Sequence, residues 1–186
     1  MRWMKCLMAV VAFTAVQAAA AMAYEGKTID CADLAIQLKT PEFKLTCTDY
    51  SDPSAVSNAG RLGAEQLYAL SDSQEQIFVV WDFRATGSIY LTRHGFEEDI
   101  QDFFSDETLD EWHATEPVQG YEFASYVNRR SGSSEEECIA FRRQMNRRNA
   151  GVGGAGFGRM VIGIGCTTRE RAVLIESLKQ FEAPGD

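Results

Sequence analysis

Four cysteines, Cys31, Cys47, Cys138 and Cys166, follow an amino-terminal leader and constrain this chain more than any other feature. An even number of cysteines in an exported chain reads as a disulfide framework; in a reducing compartment it would read as thiols or metal ligands. Four cysteines allow three pairings. Nearest-neighbour pairing, Cys31 with Cys47 and Cys138 with Cys166, closes segments of 16 and 28 positions. On the chain-entropy view each such bridge stabilises by about 3 kcal/mol. A redox pair needs Cys-x-x-Cys and a zinc site needs close ligand pairs, and neither spacing occurs.

Export is the premise of that reading. Arg2 and Lys5 form a basic start, Cys6 to Val16 an apolar run of 11 residues, and Ala21-Met22-Ala23 a small-x-small end before Tyr24. Together they predict a secretory signal peptide over residues 1–23, cleaved after Ala23. Residues 24–186 are then one exported domain, periplasmic or secreted. The leader's apolar run is too short to span a bilayer, and no other stretch is long and apolar enough. It carries two of the 18 basic residues and none of the 27 acidic ones, which leaves a net charge of −11 on the remainder. Nucleic acid is not an expected partner of so acidic a chain.

The remaining pattern predicts mixed elements. Asp33 to Lys39 reads as a short helix begun by Asp30 and stopped before Pro41, and Phe43, Leu45 and Cys47 alternate as a strand. Gln66 to Leu70, Gln76 to Phe83 and Ser88 to Arg93 suggest a three-stranded meander, the first with a helical alternative. Phe96 to Trp112 reads as two helices broken at Ser105-Asp106. Strands follow at Tyr121 to Asn128, Glu137 to Met145 and Arg159 to Thr167. A closing helix spans Thr168 to Phe181, with Thr167-Thr168-Arg169-Glu170 as its capping box. The expected class is α+β: a single small domain with a mostly antiparallel sheet of about five to seven strands, a C-terminal helix packed on it, and two disulfides.

If Cys138 faces Cys166 in an antiparallel pair, Phe141 lies opposite Gly163 and Ile139 opposite Gly165. Large side chains then fill the space over two glycines, so the disulfide and the packing select one register. Residues Asn146 to Gly158 become a 13-residue hairpin loop. Within it, Gly151-Val152-Gly153-Gly154-Ala155-Gly156 matches the dinucleotide pattern G-x-G-x-x-G. That pattern needs a helix after the glycines, but Phe157 to Cys166 alternates as a strand, so no nucleotide cofactor is expected.

Charge is uneven along the chain. Residues 24–120 carry 19 acids and six bases, whereas residues 121–160 carry four acids and seven bases. Arg142-Arg143 and Arg147-Arg148 flank the glycine run. Guanidinium groups and free backbone amides suit an anion, so Arg142, Arg143, Arg147, Arg148, Gly153 and Gly154 are the candidate binding residues. Their ligand would be an anionic envelope component or a protein partner. The acidic stretch from Gly95 to Pro117 lacks an Asp-x-Asp-x-Asp-Gly loop, and no metal is expected there. The alternative is a small cell-envelope hydrolase using His94 with Glu97, Glu98 and Asp99, where an imidazole stands near several carboxylates. No His-Glu-x-x-His or Gly-x-Ser-x-Gly accompanies it, so the sequence leans to an exported binding protein without catalysis.

Overall fold

Ile77 to Phe83 is apolar at every position but Asp82, the pattern of a strand covered on both faces. The computed structural model describes residues 26–39, 42–51, 62–87, 91–92, 94–129, 135–150 and 154–183. Residues 1–23, expected from the sequence to be a signal peptide, lie outside the described residues. Strands β1 (Lys27–Ile29), β3 (Phe43–Asp49), β4 (Leu62–Ser71), β5 (Gln76–Ala85), β6 (Asp110–Val118), β7 (Tyr121–Asn128), β8 (Glu136–Ala150) and β9 (Gly154–Thr167) form one antiparallel sheet. Their spatial order is β1-β3-β4-β5-β9-β8-β7-β6. β2 (Gln37–Leu38) and β10 (Phe181–Glu182) make a separate two-stranded piece. Helices α1 (Phe96–Phe103) and α2 (Ala172–Leu178) complete the fold.

Side chains alternate along each strand, and over the central strands both faces of the sheet are covered. On one face, Phe78, Val80, Ile139 and Phe141 meet Leu174 and Leu178 of α2 with Leu34, Ile36, Leu38 and Phe181. On the other, Trp81, Phe83, Ala140 and Ile162 meet Ile100 of α1 and Phe104. Cys31 pairs with Cys47 and Cys138 with Cys166. The second bridge joins directly opposed residues, and Phe141 opposes Gly163 in the same register. Gly165 opposes Ile139, but Phe78 of β5 is the side chain that covers it.

Several expected elements differ. Leu34, Ile36 and Leu38 are spaced by two, and all three are buried along an extended segment. Only a 3-10 turn over Cys31–Asp33, capped by Asp30 accepting from the Ala32 amide, precedes it. The helix expected over Asp33 to Lys39 is therefore absent, since period two places those residues on one side only when the chain is extended. Gln66 to Leu70 lies inside strand β4. Of Ser88 to Arg93, only Leu91 and Thr92 are described, and Leu91 forms an isolated bridge to Phe157. The second helix expected after Ser105 is strand β6, an edge strand whose polar side chains face water, with Pro117 in a position that only an edge tolerates. α2 is shorter than expected: its N-cap is Arg171, and Thr167 Oγ1 accepts from the Arg169 amide at 3.0 Å. Phe181 leaves the helix to pair with Leu38 in β10. The 13-residue loop is likewise mostly ladder, since β8 and β9 stay paired down to Ala150 and Gly154. Only residues 151–153 of it, Gly153 among them, lie outside the described residues. Among the described residues no helix is long and apolar enough to cross a membrane.

Candidate functional site

Two adjoining hollows meet at the cross-strand pair Glu122–Arg142. The first, about 680 Å³, opens between the start of α1 and β7–β8 and is lined by His94, Gly95, Phe96 and Glu98. α1 begins at Gly95, whose backbone N–H donates to Glu98 Oε2 at 3.3 Å while its carbonyl accepts from the Asp99 amide at 3.0 Å. Arg142 ties this helix start to the sheet. Its Nε donates to Glu122 Oε2 at 2.7 Å; its Nη1 donates to the carbonyls of His94 and Gly95 at 3.2 and 3.3 Å and to the Asp99 carboxylate. The Phe96 ring centroid lies 5.2 Å from the guanidinium carbon. Arg142 borders both hollows, but its side chain is only 2% exposed and its donors are taken up by these protein partners.

His94, Glu97, Glu98 and Asp99 do come together around α1, but their side chains are engaged differently from a catalytic set. His94 is exposed and its Nε2 lies 2.9 Å from Thr92 Oγ1. Glu98 caps the helix, Asp99 is ion-paired with Arg142, and Glu97 faces solvent. Burial pushes the Asp99 carboxyl above its usual value, against the pull of Arg142 and, more weakly, of His94. A carboxylate raised on folding favours the folded state most when protonated, so its contribution falls as pH rises through the raised value. The stability margin of wild type over Asp99→Asn is thus expected to be larger at about pH 4 than at about pH 7 in urea titrations. A margin that shrinks on acidification would mean that Arg142 outweighs burial.

The second hollow, about 280 Å³, is a basic groove beside β8. It exists because the β6–β7 hairpin turns early. Gln119 and Gly120 carry φ of 52° and 79°, a two-residue turn with both central residues left-handed, and it returns the chain as Val118 opposite Tyr121. β7 therefore starts level with the middle of β8, whose later residues run on past it. Arg143 lies over the Tyr121 ring with 5.9 Å from guanidinium carbon to centroid. Burial raises the Tyr121 phenol, which keeps it neutral beneath the cation. Arg147 is exposed and has no ion pair among the described residues. Gln144 also lines the groove, and its Nε2 is buried with no hydrogen-bond partner. Arg148 lies further along β8 and Gly154 begins β9; both are placed by their backbones.

A third cluster was not anticipated. Asp82, fully buried, accepts from Arg159 Nε and Nη2 at 2.9 Å and from Arg84 Nη2 at 2.8 Å, and Arg84 also reaches Glu65 at 2.8 Å. Burial raises Glu65 despite Arg84. The sequence signal was a single acid inside the apolar run of β5, and the arginines that answer it, Arg84 and Arg159, are cross-strand partners. For a metal, the described residues bring Glu107 together with Cys138 and Cys166, but those sulfurs are joined as a disulfide and offer no thiolate. Compared with protein-family models, curated proteins and solved structures, the chain matches none of them.

Proposed function

We propose that this protein is an exported, disulfide-stabilised binding module whose working surface is the groove along β8, and that it takes an anionic ligand there. The observation that carries this reading is the convergence of donors. Arg143, Arg147 and Gln144 line one hollow. The carboxylate at its rim, Glu122, is already bound to Arg142. Two disulfides fit an oxidising compartment, and periplasmic or secreted residence is part of the proposal. Hydrolysis at His94 is the weaker reading, because Glu98 and Asp99 already serve the helix cap and Arg142.

Binding of hexaglutamate and of inorganic phosphate, measured by calorimetry at low and high salt, tests the proposal. Arg143→Ala with Arg147→Ala is expected to weaken binding roughly 10- to 100-fold at low salt, less at high salt, with little change in melting temperature. His94→Ala should bind like wild type. Undiminished binding by the double variant, or no binding of either anion by wild type, would overturn the groove as the working surface.

A further inference from the structure

We propose that the ligand of this groove is an extended acidic polypeptide that adds as a strand to the free edge of β8. The inference rests on the anion-binding reading above and names the ligand's backbone as a second determinant. β8 runs for 15 residues and β7 for eight. Pairing of β8 with β7 ends at Glu122 opposite Arg142, whereas pairing with β9 continues to Ala150 opposite Gly154. From Arg143 to Ala150 the strand therefore has a neighbour on one side only, among the described residues. Every second residue of an antiparallel strand aims both its N–H and its C=O at the same edge, so this length presents a row of unpaired donors and acceptors.

The other edges of the sheet are short or guarded. β1 has three residues. β6 carries Pro117 and two register shifts, each of which spoils a regular pairing template. On β8 the register with β9 is kept on both sides of Asn146, at φ 57°, so the edge bends there without slipping. Arg143 and Arg147 stand along it. Positive side chains on an exposed edge repel a second β8 edge, which would bring its own arginines, and attract a strand that carries carboxylates. Tyr121 under Arg143 and the hollow walled by Gly120 and Phe157 give the incoming chain a side to lie against. Main-chain hydrogen bonds then supply affinity and the arginines supply selectivity, as in other cases of strand addition.

The test uses the purified protein and an eight-residue peptide alternating glutamate and threonine. In a strand all its glutamates face one way and aim their amides at one edge. Two derivatives carry N-methyl groups on every glutamate or on every threonine, with charge unchanged. The parent peptide is expected to bind and to slow amide hydrogen exchange over residues 143–150. One derivative should lose about tenfold or more in affinity, and the other less than about twofold. An equal response of the two derivatives would overturn strand addition, and so would tight binding of phosphate or polyacrylate with no change in exchange. In those cases the groove would remain an anion site. If neither peptide nor phosphate binds, the anion-binding reading itself falls.

Discussion

Asp82→Ala is expected to destabilise the protein by about 4 kcal/mol, among the largest effects of any single charge removal in the chain. Asp82 is fully buried and joins two guanidinium groups, one of them, Arg159, held by two parallel hydrogen bonds. Truncation leaves Arg84 and Arg159 near each other without the carboxylate that joined them, inside the sheet face that carries Val80 and Val161. Replacing Asp82 by Val and Arg159 by Met together is expected to restore most of the loss, since an apolar pair of similar volume brings no desolvation cost. Urea midpoints of the two variants decide the matter. A loss below about 1 kcal/mol in Asp82→Ala would mean that water reaches Arg159 and the cluster behaves as a surface pair. The exposed pair Lys39–Glu182 provides the comparison, with each side chain more than half exposed.

The β8–β9 hairpin was legible because two independent signals agreed: the cysteine spacing and the large residue opposite a glycine. β7, with its apolar core and polar ends, was legible to the residue. β6 was hidden by its acids, because an edge strand bathed in water loses the alternation that marks a half-buried one. The glycine run concealed the outer part of the ribbon in the same way, as small residues give no packing pattern to read. Arg142 was misassigned for a reason available in the sequence. Adjacent residues of a strand leave the backbone toward opposite faces, so Arg142 and Arg143 could not project from the same face if β8 was a strand, and they share only the rim of the groove where β7 ends. One turns toward α1 and Asp99, and the other toward Tyr121. Which of the two is buried depends on where α1 docks, and that is a tertiary choice no local pattern carries. The step where β7 stops short of β8 depends likewise on the turn at Gln119-Gly120, whose left-handed backbone needed the structure to reveal it.

Phe141→Ala is expected to cost about 4 kcal/mol, and Gly163→Ala about 2 kcal/mol. The Phe141 ring is fully buried, edge-on to Tyr121 at 5.6 Å and 5.8 Å from the Phe181 ring, so its removal opens a cavity that three elements border. A methyl group on Gly163 would lie 2.6 Å from Phe141 Cζ and 2.9 Å from the Val79 carbonyl oxygen, closer than either atom allows. The two costs share one cause and should not add. With the ring gone, the methyl group loses its main clash and fills part of the cavity, leaving only the Val79 carbonyl against it. The double variant is therefore expected to be more stable than the sum of the single changes by about 1 kcal/mol or more. The Cys138–Cys166 bridge keeps the two strands in register in all four proteins, so the coupling measures ring against glycine and not a slipped hairpin. Additivity within about 0.3 kcal/mol would show that the backbone of β9 moves aside to admit the methyl group, and that the glycine is not kept for the ring.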